Sequence, residues 1–159
     1  MSEMTPSDFY YGFVKQDYYD WKSDRSSVRK AFHVATSAVH LADHYFRYHR
    51  KRDLGFAAGY PTDETKGLQR FQDEIIAECP AFKLIQDVTN TLKHLYPRAR
   101  CDISSAGSIE GIETDDCAIE ANWLNGNGDV VVRLRNSSSV SFGEAIEAVI
   151  KMWSKRIYE

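Results

Sequence analysis

Cysteine is scarce in this chain: Cys79, Cys101 and Cys117 are three among 159 residues. An odd number, widely spaced, argues against a disulfide framework and a zinc knuckle, and points to a reducing compartment. Long apolar runs are missing too, with none near the ~18 uninterrupted residues of a membrane span. The opening stretch MSEMTPSDFYY has neither a basic nor an apolar signal region, so no secretory leader is expected. Charge of one sign is also lacking. A net charge of −3 gives no global pull toward nucleic acid or anionic membrane. Gly107-Ser108-Ile109-Glu110-Gly111 has no Lys-Ser/Thr step and no strand–helix setting, so it is no phosphate loop. No serine sits in a nucleophile elbow, and no cysteine pair forms a CxxC. The expectation is a soluble, cytoplasmic protein with no cofactor.

What is present is ordinary for a globule: 43% apolar and 27% charged residues. A chain this long buries roughly 68–70% of its unfolded surface, enough for a real core. One domain is expected, with a helical bundle over 1–98, a β-hairpin region over 99–140 and a C-terminal helix over 141–159. The fold class is α+β, mainly α: four to five helices with a small antiparallel sheet before the last.

The strongest pattern is Pro80 to Arg98. Ala81, Leu84, Ile85, Val88, Leu92 and Leu95 recur at helical spacing, with Phe82 at the margin of their stripe. At roughly 100° per residue, Lys83, Asp87, Asn90 and His94 fall on the opposite side. A base, an acid, an amide and an imidazole on the non-core face make this the first place to look for chemistry.

Upstream, Ser7 to Lys22 is dense in aromatics and predicts a helix from Pro6, capped near Thr5 or Ser7 and clamped onto the bundle. A base-stacking platform needs interleaved Lys or Arg on the same face, and none is read there. Ser26 or Ser27 caps a long helix reaching about Arg50. Its apolar face is Val28, Ala31, Phe32, Ala35, Ala38, Val39, Ala42, Tyr45 and Phe46. His33, His40 and His44 project within about 40° of one another on the other side. His40 and His44, four apart, can in principle share a metal, with Asp87, His94 or Glu74 as third ligand. Arg47, Arg50, Lys51 and Arg52 form a basic cluster. Cations there complement the helix dipole and are also candidate phosphate contacts.

Asp53 to Thr62 reads as a loop. Thr62 is the expected cap of a helix burying Leu68, Phe71, Ile75, Ile76 and Cys79. Past Ala99, a short strand is read at Arg100 to Ser105. Ala118 to Leu124 and Asp129 to Arg135 flank Asn-Gly-Asn-Gly, a hairpin signal. Val130, Val132 and Leu134 alternate with Arg133 and Arg135. Asn136 to Ser139 reads as a link. Ser141-Phe-Gly-Glu144 fits a capping box for a helix burying Phe142, Ala145, Ile146, Val149, Ile150 and Trp153.

Asp87-Val-Thr-Asn90-Thr-Leu-Lys93-His94, following His40-Leu-Ala-Asp43, resembles a group of uncharacterised helical proteins with N-x-x-K-H and H-L-A-D steps. The spacing from Asn90 to His94 also resembles the HEPN superfamily of helical bundles, which often dimerise and many of which cleave RNA without metal. That resemblance implies an Arg, a following polar residue, and a His four to six residues beyond the Arg. Asn90 and His94 match the last two, while Thr89 stands in the arginine's place and Lys93 is the nearby cation. It implies RNA as partner, a homodimer, and Asp87, Asn90, Lys93 and His94 as catalytic candidates. The alternatives are a non-enzymatic module for a protein partner and a divalent-metal bundle built on His33, His40 and His44.

Overall fold

The structure is a computed structural model, and it describes residues 2–94, 130–134 and 138–159. The side chains of Leu92, Lys93, His94 and Arg133 lie outside the described set, as do the strand expected at 100–105 and the hairpin arm at 118–124.

In chain order the elements are α1 (Pro6–Phe9), a π-helical stretch Tyr10–Val14, α2 (Lys15–Ser23), α3 (Val28–Arg52), α4 (Leu54–Ala58), α5 (Glu64–Glu78), α6 (Ala81–His94), β1 (Val131–Arg133), β2 (Ser139–Ser141) and α7 (Phe142–Tyr158). The protein is mainly helical, with a small antiparallel sheet ahead of the last helix, as the order of patterns predicts.

Local chemistry sets the helix starts. Thr5 and Asp8 form a reciprocal capping box at α1. Ser27 Oγ accepts from the Lys30 amide at 3.2 Å and Ser141 Oγ from the Glu144 amide at 3.3 Å, each quieting one orphan donor of a first turn. Two expectations need correction. Asp63, not Thr62, caps α5, its carboxylate accepting from the Lys66 amide at 2.9 Å. The stretch read as a loop holds α4, because the Asp53 carboxylate caps it through the Phe56 amide at 3.0 Å. Phe56 then packs 5.0 Å from the Tyr60 ring and 5.9 Å from Phe46.

The central element is α3, which touches every other helix of the fold. Its sequence allows this because small and branched residues surround most of the cylinder. Val34, Leu41 and Ser37 are buried beside the expected Val28, Ala31, Ala35, Ala38, Val39, Ala42 and Phe46. The N-terminal helical segment covers one side, and α5, α6 and α7 cover the others. Gly67 of α5 permits one of these approaches, since a Cβ there would stand 2.8 Å from the Phe46 ring.

The α7 stripe is buried as expected, and Trp153 anchors it. Its indole Nε1 donates to the Ala38 carbonyl at 3.1 Å, and its ring lies 6.0 Å from Tyr45 and 6.4 Å from Phe82. Trp21 of α2 meets Phe142 edge-on at 5.7 Å.

The sheet differs from the sequence reading. β1 pairs with β2 in the register Val131↔Ser141, Val132↔Val140 and Arg133↔Ser139. The second strand thus begins at Ser139, where the expected link ends, and runs to Ser141, the cap of the last helix. Val130 and Val132 are fully buried, so the expected alternation holds. Among the described residues no helix is long and apolar enough to cross a membrane.

Candidate functional site

α6 is held mainly between α3 and α7, and this changes its polar face. Ile85 and Val88 are buried as expected. Phe82, placed at the margin, is fully buried. Ala81 and Leu84 are only half-buried; with Leu134, Val140 and Ala145 they line a shallow hollow of about 360 Å³ beside the sheet. Asp87 is the main correction. The sequence places it on the open face, yet it is 3% exposed and receives the Lys83 ammonium at 2.6 Å. A helix covered on two sides buries more than one stripe, and a carboxylate tolerates that when a cation one turn earlier compensates it. Asn90 stays half-buried one turn on. Lys93 and His94 occupy the last turn of α6.

Asp43 of the H-L-A-D step also works between helices. It accepts from Gln72 Nε2 at 3.0 Å, and Gln72 Oε1 accepts from Gln86 Nε2 at 3.2 Å. This chain ties α3, α5 and α6 together; neither glutamine stands out in the sequence, because the pattern that joins them is tertiary.

The histidines of α3 lie on one side of the helix, as expected: His33 and His40 line one hollow with Phe9 and Asp17. His33 and His40 are exposed. His44 Nε2 lies 2.9 Å from the Met4 carbonyl, and its ring stacks 5.3 Å from Phe9, so it fastens the N-terminus. Among the described residues no group of three or more His, Cys, Asp or Glu could hold a metal ion. Of the suggested third ligands, Asp87 faces Lys83, and Glu74 accepts from the Tyr60 hydroxyl at 2.6 Å. Burial and that carboxylate raise the Tyr60 pKa to about 12.

His49 is wedged 4.3 Å from Tyr45 and 5.6 Å from Phe56. Burial pulls its pKa below the ordinary 6.5, against the opposing field of Asp53. As pH falls, the unfolded chain therefore binds this proton before the folded one does. The stability His49 contributes is complete above its unfolded pKa and is lost as pH falls through it toward the folded value. Thermal melts are expected to drop between about pH 7.5 and 5.5, with a shallower slope in His49→Phe. Identical slopes in both proteins would assign the acid sensitivity to other groups.

The basic cluster is largely engaged within the fold. Arg47 pairs with Glu64 at 2.9 Å, and Lys51 and Arg52 pair with Glu3 at 3.6 and 2.9 Å. Arg50 donates to the Thr62 carbonyl. These four side chains staple the end of α3 to the N-terminus and to the start of α5. The aromatic platform needs the opposite correction: Lys15 and Lys22 do share the face of Tyr18 and Tyr19. Lys15 Nζ lies 4.8 Å from the Tyr19 ring centre, and Lys22 Nζ lies 5.4 Å from that of Tyr18. The signal was legible as K-x-x-Y-Y-x-x-K, one helical side at i, i+3, i+4 and i+7.

The fold and these side chains define a mainly helical α+β protein with a Lys83–Asp87 pair set into α6 and a tyrosine–lysine face on α2. Compared with protein-family models, curated proteins and solved structures, the chain matches none.

Proposed function

We propose that this is a HEPN-like RNA-binding protein that cleaves RNA without metal at the C-terminal end of α6. The observation that carries the reading is α6 itself. It remains helical through His94, so positions 90 and 94 stand one turn apart on a helix whose other side is packed into the core. An Asn and a His at that spacing suit phosphoryl transfer. The imidazole takes the 2′-hydroxyl proton, the 2′-oxygen attacks phosphorus as the bond to the 5′-oxygen breaks, and the 5′-oxygen leaves with a proton from water, giving a 2′,3′-cyclic phosphate. The Asn90 amide and the Lys93 ammonium stabilise the phosphate oxygens. Asp87 is assigned a positioning role through Lys83, since its carboxylate is buried.

The test is cleavage of an end-labelled RNA in the presence of a chelator. Activity is expected to persist there, to leave the all-DNA counterpart uncut for want of the 2′-hydroxyl, and to fall by about 100-fold or more in His94→Ala. Cleavage that stops with chelator, or that survives His94→Ala unchanged, would remove the mechanism.

A further inference from the structure

A groove of about 830 Å³ runs between α2 and α7, with Lys15 and Tyr18 on one wall and Lys151, Lys155 and Tyr158 on the other. We propose that this groove carries single-stranded RNA, its tyrosines serving as base platforms and its lysines as phosphate contacts. The choice of polymer rests on the function proposed above; the surface is separate from α6.

Charge is the first argument. The acids on the groove walls are Glu78 and Glu147. Arg156 binds Glu78, and Arg25 binds Glu147 at 3.3 Å. Lys155 has only a loose contact with Glu159, at 3.9 Å, and Lys151 makes no ion pair among the described residues. Asp17 faces away, lining a hollow with Phe13, His33 and His40. Asp20 lies about 140° round the helix from Lys15. The walls therefore present a cationic rail although the whole chain is acidic.

Aromatic exposure is the second argument. Tyr158, which lines the groove, is 72% exposed, and two exposed rings flank it: Tyr19, 5.8 Å from the Tyr18 ring and 4.8 Å from Lys15 Nζ, and Tyr11, 6.2 Å from the Tyr158 ring. The Tyr11 and Tyr158 hydroxyls bond to each other at the groove's end, so these two rings are held in place. Flat rings alternating with ammonium groups suit unpaired bases strung on phosphates. A duplex keeps its bases stacked inside and cannot use the rings, so the occupant is single-stranded.

The experiment is fluorescence anisotropy of a labelled 2′-O-methyl oligouridylate of twelve nucleotides, titrated with the full chain at about 50 mM salt. The blocked 2′-oxygen cannot attack, so binding is read without cleavage. Saturable binding is expected. The triple variant Lys15→Ala, Lys151→Ala, Lys155→Ala should bind about ten-fold or more weakly, with the salt slope reduced by about two. Tyr19→Ala should weaken binding about five-fold or more, whereas Tyr19→Phe, which keeps the ring, should not. Circular dichroism establishes that each variant is folded, as expected for positions outside the buried core. Absence of saturable binding would overturn the proposal, as would a folded triple variant or Tyr19→Ala that binds like the parent. Equal displacement by polyglutamate would assign the groove to acidic protein instead. Intact cleavage with no groove effect would sink the groove alone; groove binding with no cleavage of ordinary RNA would sink the nuclease alone.

Discussion

Trp153→Ala is expected to lower the unfolding free energy by about 3–5 kcal/mol, the largest loss from any single truncation considered. The indole is fully buried where α7 crosses both α3 and α6, touching Tyr45 on one and Phe82 on the other. Truncation removes those contacts, leaves a cavity that neighbouring aromatics cannot fill, and deletes the hydrogen bond to Ala38. For a domain of this size each kcal/mol moves the melting temperature by about 2–4 °C, so a fall of about 10 °C is anticipated. Trp153→Phe restores part of the volume but not the donor, and should lie between. Urea unfolding followed by circular dichroism measures both; a loss below about 1 kcal/mol for the alanine variant would mean that α7 is not the clamp described here.

The second large effect is at Asp87. Asp87→Ala takes away the buried carboxylate that receives the Lys83 ammonium at 2.6 Å. Breaking a fully buried pair costs about 3–5 kcal/mol. The Lys83 side chain is 30% exposed and can turn partly to water, so about 2–3 kcal/mol is the expectation. A parallel measurement of RNA cleavage separates the two roles this residue has been given. If Asp87 positions α6, stability and activity fall together, and the double change Lys83→Met, Asp87→Leu regains much of the stability. A variant that keeps its melting temperature but loses cleavage would return Asp87 to the reacting groups.

Much of the architecture could be read from residue spacing, and the reasons are local. The stripes of α5 and α7 follow one periodicity each, and Ser27 and Ser141 announce their helices because a short hydroxyl before an apolar run has little else to do. What escaped is tertiary. Projecting α6 on a wheel separates an oily side from a polar one, but a wheel cannot know that α3 and α7 cover two sides at once; hence Asp87 projects to the open side and Phe82 to the rim, although both are buried. Ser139–Ser141 does not read as a strand, because its strand character comes from pairing with Val131–Arg133, not from β-branched content. The histidines of α3 do share one face, but a wheel does not show that the Met4 carbonyl engages His44. On α2 the aromatics hide the lysines: the number of rings is conspicuous, whereas their alternation with cations shows only on a helical wheel.

The π-helical turn at Tyr10–Val14 has a bearing on how this surface could have arisen. There the Lys15 amide reaches back to the Tyr10 carbonyl, five positions instead of four, the signature of one extra amino acid slipped into a regular coil. The wide turn takes up that surplus unit within itself, because its five residues cover the arc that four cover in a regular coil. Lys15, Tyr18, Tyr19 and Lys22 therefore keep the outward phase, and Trp21 the inward one, that a coil one residue shorter would give them. Excising one residue from the turn, Gly12 for instance, is expected to straighten the coil and leave the face where it is, so a lone codon gained or lost is absorbed upstream of this surface.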